Sequence, residues 1–225
     1  MPVLRFKYPL GSTDAMQKTD TNPPQKSLEL CLDFADTVDW RTSKHSKDGL
    51  VGYGDLVIWS HKRGVIDQFE ANRLMEIART DKRAVGIVLN QAKILREAMY
   101  RIFSAAAHGK RANPDDVSIL NTYLGRAMAK MEVQMTEYGY RLGWCTEELT
   151  DKMLYPIAKS AADLLTSEYL TRVRECANEE EGCGSMFLDY SKSHSRRWCS
   201  MKSCGNKAKS RTYYARHGRP PHLKR

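Results

Sequence analysis

Cys176, Cys183, Cys199 and Cys204 follow the order C-x6-C-x15-C-x4-C, two close pairs separated by the span of a hairpin. That spacing constrains the last quarter of the chain more than any hydrophobic pattern does. Two short loops joined by a longer excursion bring four sulfurs together without strain, and zinc takes four thiolates in a closed tetrahedron at about 2.3 Å. Two disulfides or free buried thiols are the other uses of four cysteines. Met1 to Leu10 holds Arg5 and Lys7 without the apolar run of a secretory signal, so a reducing, cytoplasmic compartment is expected, where paired cysteines serve as metal ligands. The expectation is one Zn(2+) per chain. His194 is an available nitrogen ligand, so a Cys3His set stays open beside the four-cysteine one. Cys31 and Cys145 stand apart and read as small buried hydrophobes.

Charge is distributed as unevenly as cysteine. From Tyr190 to Arg225 there are eleven Lys and Arg and no Asp or Glu; the other 25 basic residues face all 27 acidic ones, leaving residues 1 to 189 at −2. A near-neutral body with a basic end is the asymmetry of a nucleic-acid contact, against a solvated tail as the plain alternative. A four-thiolate zinc site carries a formal −2 and accounts for two or three of the cations, not eleven. No run approaches eighteen apolar residues, so no membrane span is expected.

Along the chain, 1–26 show no periodicity and read as a leader. From Ser27, an expected N-cap, Leu28, Cys31, Leu32, Phe34, Ala35 and Val38 recur at helical spacing. Short helices are expected over 55–63 and 67–79, and a long one over 82–108 with Gly109 as its stop. Asn113 and Pro114 then supply the N-cap and first residue of another. Between Lys130 and Thr146 the period shortens to two around Gly139, which predicts a hairpin, and helix resumes after Thr150. Asp33, Asp36 and Asp39 read as a solvated helix edge. The fold class is therefore mainly α with a small β-hairpin: a helical domain over 27–170, a treble-clef-like zinc finger over 171–216, and a basic tail over 217–225. No phosphate loop, Walker pattern or nucleophile elbow is present, so catalysis is not expected.

Phe187-Leu188-Asp189, Arg196-Arg197-Trp198-Cys199-Ser200-Met201 and Cys204-Gly205-Asn206 resemble the CGNR-type zinc finger, with Lys207 where the name calls for Arg. Leu30-Cys31-Leu32-Asp33-Phe34, Thr37-Val38-Asp39, Tyr53, Asp55-Leu56, Trp59 and Leu95-Arg96-Glu97-Ala98 are similar to the ABATE domain that precedes this finger in bacterial stress-induced transcription regulators. Asp36 stands where Asn is expected. The resemblance implies Cys176, Cys183, Cys199 and Cys204 as ligands and a DNA-binding, transcription-regulating role in the bacterial cytoplasm, at the nucleoid when bound.

On the helix opened by Cys204, Lys207, Arg211 and Tyr214 share one face, and Lys209, Tyr213 and Arg216 an adjacent one. Arg196, Arg197, Lys207, Lys209 and Arg216 are the phosphate candidates, while Asn206 and Arg211 are placed to reach base edges of duplex DNA. Glu179, Glu180 and Glu181 repel a duplex, so that loop is expected to lie away from it. Exposed Tyr213 and Tyr214 would instead suit single-stranded RNA, and an acidic protein partner is a third reading. In the body, Asp36, Trp59, Arg96 and Trp144 lie on segments patterned for burial and mark a candidate ligand pocket between first helix, long helix and hairpin. An internal ion pair of Arg96 with Asp36 or Glu97 is the alternative. The body is expected to sense a small molecule or to form a homodimer.

Overall fold

The computed structural model describes residues 25–145 and 149–218; the leader, apart from its last two residues, and 219–225 of the basic tail lie outside them. Helix α1 spans Gln25–Ala35 and buries Leu28, Cys31, Leu32, Phe34 and Ala35. Ser27 lies inside that helix rather than capping it, because the helix extends two residues further back. Val38 is not helical either: Val38–Asp39 (β1) pairs with Lys47–Asp48 (β2) in a two-residue ladder. Helices α2 (Tyr53–Lys62), α3 (Gln68–Thr80), α4 (Lys82–Ala107) and α5 (Pro114–Ala129) follow. Their starts are set by local chemistry. The side chains of Asp67, Asp81 and Asn113 accept the N–H groups of Glu70, Ala84 and Asp115 at 2.8, 2.9 and 3.0 Å, satisfying donors that the first turn leaves unpaired.

The hairpin of β3 (Met131–Thr136) and β4 (Gly139–Trp144) pairs Val133 with Leu142 and Thr136 with Gly139. Gly139 takes φ 124°, a left-handed value suited to glycine. Helix α6 (Leu154–Leu165) carries Pro156 in its first turn, where no N–H is needed. It packs against α1 and α5, and α4 runs past α1. Ser160 of α6 fastens α1 by accepting the buried Cys31 N–H at 3.1 Å.

The last quarter is tied into this core. Strands β5 (Val173–Glu175) and β6 (Met186–Leu188) form an antiparallel pair, and Val173, Met186 and Leu188 bury in the same apolar cluster as the helices. A three-glutamate turn, Glu179–Glu181, connects the strands; a wide turn, Met201–Gly205, then leads into α7 (Asn206–His217). Knuckle, hairpin and terminal helix give a treble-clef-like finger, and its hairpin completes the body's core. Among the described residues no helix is long and apolar enough to cross a membrane.

Candidate metal centre and nucleic-acid interface

The four cysteines converge. All four sulfurs lie within 4.8 Å of one another, and Cys199 Sγ is 3.7 Å from both Cys183 Sγ and Cys204 Sγ. A tetrahedron with metal–sulfur bonds of 2.3 Å has edges of about 3.8 Å, so the spacing is that of a closed zinc site. His194 is not in the cluster; it is exposed in the turn after β6, which removes the Cys3His alternative. The protonation pattern fits a cation as well. Neighbouring Cys183 and Cys199, with the backbone N–H groups of Cys199 and Asn178, stabilise a thiolate at Cys176, while Cys176 and Cys183 push Cys199 upward. Thiols this close cannot all ionise unless a metal takes their charge. The four cysteines would hold one Zn(2+) as a structural centre.

Glycine shapes the knuckle at two positions. Gly182 and Gly184 flank Cys183 at φ 68° and 63°, and a Cβ on Gly182 would sit 2.4 Å from the Ser43 backbone nitrogen. The close approach exists because the body's 40–43 loop grips the knuckle: Arg41 and Thr42 donate backbone N–H groups to the carbonyls of Cys183 and Gly182 at 3.2 and 3.1 Å. Trp40 packs into the finger's small core beside Phe187, Trp198 and the cysteines. Gly205 by contrast has an ordinary helical φ of −64°, and its missing Cβ makes room for Met201 rather than for a turn.

Two carboxylates fix the frame, Asp189 buried and Asp36 half-buried. Asp189 is fully buried and accepts the N–H groups of Ser191 and Arg196, both at 2.9 Å. Burial alone would raise its pKa, but those bonds hold it below the usual carboxylate range. Asp36 accepts the Met186 N–H at 2.9 Å, joining α1 to β6. Burial pushes its pKa up to about 8, the Met186 bond opposing and the charge of Cys183 adding. Protonated near neutral pH, Asp36 presents a carbonyl oxygen to Met186 much as Asn would.

The basic residues divide into engaged and free. Arg196 donates to the carbonyls of Trp198, at 3.0 Å, and Cys199, and lies over the Phe187 ring, so it closes the knuckle. Arg211 pairs with Glu180 at 3.0 Å and Glu181 at 3.3 Å, and also donates to Asn178. Lys207 reaches Glu181 at 3.2 Å and sits 4.2 Å from the Trp40 ring centre. The acidic turn therefore lies against the basic helix, and its carboxylates cover Lys207 and Arg211. Lys202, Asn206 and Lys207 border an open groove of about 760 Å³ along one flank of α7. On the other flank Arg197, Lys209, Tyr213 and Arg216 come together, with Tyr213 stacked on His217 at 4.5 Å.

The four body residues do not meet in one pocket. Trp59 packs on Phe34 at 5.1 Å, and Asp36 serves β6. Arg96 is buried with its donors on Asp48 at 2.7 and 3.0 Å, Glu97 at 2.9 Å and Thr37 at 3.2 Å. The carboxylate missed from the sequence is Asp48, held below the usual range by Arg96 against its own desolvation. Trp144, packed on Tyr155, lines a separate cleft of about 490 Å³ with Glu70, Arg141 and Lys152.

A helical body clasping a four-cysteine centre, with a basic helix issuing from the fourth ligand, has the build of a zinc-finger protein. Residues 28–168 match the ABATE family, described as "Putative stress-induced transcription regulator", and residues 172–217 match the CGNR zinc finger. The chain belongs to the ABATE family and ends in a CGNR zinc finger that binds one Zn(2+). No curated protein matches it.

Proposed function

We propose that the protein is a zinc-dependent transcription regulator whose terminal finger binds duplex DNA, with the body serving self-association or sensing. The observation that carries this reading is the flank of α7 where exposed Arg197, Lys209 and Arg216 stand together on a helix anchored by the metal centre. Phosphate contacts of this kind supply affinity and register, whereas base reading needs a side chain free to reach a groove. Asn206 is exposed and reaches a base edge by exchanging a single bond, the one its Nδ2 donates to the Lys202 carbonyl at 3.2 Å. Arg211 becomes available only after leaving Glu180 and Glu181. Arg196 is left out, because its donors already close the knuckle.

Fluorescence anisotropy of zinc-loaded protein on a duplex and its matching single strand, across salt, tests the reading. Four or five neutralised phosphates give a slope of log K against log salt of about −4. Lys209→Ala with Arg216→Ala flattens the slope by roughly two on every sequence, whereas Asn206→Ala relaxes preference at one position. No duplex binding at low salt overturns the reading. Tighter binding to single-stranded RNA, lost in Tyr213→Ala, replaces it with an RNA-binding role.

A further inference from the structure

The β3–β4 hairpin is built inside out. Its register places Met131 opposite Trp144, Val133 opposite Leu142 and Met135 opposite Tyr140, so one face carries only apolar side chains; Glu132, Gln134, Thr136 and Arg141 share the other. A hairpin resting on a helical body ordinarily turns its apolar face inward, since a half-buried strand pair gains its stability there. Here the order is reversed. Val133, Met135, Tyr140 and Leu142 are 67, 81, 78 and 64 % exposed, with Tyr138 at the tip 93 % exposed. Gln134 and Arg141 on the polar face line the cleft against Glu70 and Lys152. The root of the apolar face meets the body where Trp144 packs on Tyr155.

Isolated exposed hydrophobes need no explanation, but a contiguous apolar sheet face does. A two-stranded hairpin is also marginal in water without a layer packed on it. We propose that this face is the self-association surface of the protein, on which a second copy of the chain packs hairpin against hairpin about a two-fold axis. The inference rests on the part of the proposed function that gives the body a role in self-association, and duplex binding is measured apart from it. Three observations favour a second copy as the occupant. Val133, Met135, Tyr140 and Leu142, with Tyr138 at the tip, are each more than 60 % exposed, a patch of roughly 600–800 Å², within the range each partner gives to a standard stable interface. It is apolar from root to tip, the composition of homodimer contacts rather than transient ones. The face itself carries no charge, since Glu132 and Arg141 project from the opposite side of the ladder. A two-fold contact then sets the same uncharged patch against itself and buries no unpaired ion.

Sedimentation velocity of the full-length, zinc-loaded protein without DNA, from about 1 to 200 µM, tests this. A reversible dimer is expected. Val133→Glu and Met135→Lys, both at exposed positions, are each expected to weaken it by at least about 100-fold, since the dimer would bury an unpaired charge, while helicity and one zinc per chain stay unchanged. Ile87→Glu, at an exposed site on α4, is the control that leaves the dimer intact. A wild-type protein monomeric throughout the range overturns the proposal, as does a dimer indifferent to both hairpin variants. Loss of the dimer on deleting residues 1–24 alone, with the hairpin variants still dimeric, assigns association to that segment and overturns it too.

Discussion

The Asp36 carboxylate and the Met186 N–H meet at 2.9 Å across the seam between α1 and β6, three residues beyond a metal ligand. A carboxylic acid held there with a raised pKa binds a proton in the folded state that the unfolded chain has released. Stability from this group is therefore full below pH 4 and lost as pH rises from about 4 through about 8.

Asp36→Asn keeps the acceptor and removes the titration. The variant is expected to be more stable than wild type at pH 8 to 9, by roughly 1–3 kcal/mol, or about 3–9 °C in a chain of this size. The gain should shrink steadily toward pH 6. Thermal unfolding of both proteins with zinc saturating checks it, and a pH-independent difference would show that Asp36 does not titrate in this range.

The acidic turn predicts a gain of function. Glu180 and Glu181 compete with phosphate for Arg211 and Lys207. Glu180→Gln with Glu181→Gln is expected to tighten duplex binding about three- to tenfold at low salt, because the cations no longer exchange one set of anions for another. Anisotropy titrations read it. An unchanged affinity would mean that α7 meets DNA by its Arg197–Lys209–Arg216 flank alone.

Removing zinc reaches into the body. Structural zinc supplies on the order of 10–16 kcal/mol in finger peptides, and here the strands that frame the site also bury Val173, Met186 and Leu188 in the main core. Chelation, or Cys183→Ser, is expected to release one zinc and to lower the melting temperature of the helical signal as well. A helical transition that ignores the metal would show that the hairpin folds independently of the finger.

Gly182→Ala tests the clasp. The substitution forces a left-handed alanine and drives its Cβ into the Ser43 backbone, at a cost of about 2–4 kcal/mol. Weaker zinc retention against a competing chelator is the expected companion effect, since Cys183 is the next residue.

Much of this architecture is legible in the sequence where a short-range signal exists. Asn113 before Pro114, Asp67 and Asp81 announce helix starts through bonds two or three residues away, and the four cysteines announce their convergence through spacing. Ser27 misled because a capping residue type does not cap where the helix continues past it. Asp48 and Trp40 carry no local signal: they lie in the aperiodic stretch between α1 and α2, and their partners, Arg96 and the finger core, stand far along the chain. The alternation in β3 and β4 tells which side chains share a face. It cannot tell which face looks outward, and that orientation is the basis of the dimer proposal.

Trp40 gives the metal centre a dependency that its cysteine spacing conceals. An aromatic ring from the beginning of the chain fills the finger's core and lies beneath Lys207. A graft of residues 172–217 onto another scaffold would carry every metal ligand yet leave a hole where that ring belongs. The finger is heritable and portable only together with the 40–43 loop, so a functional transplant has to move two distant stretches of sequence at once.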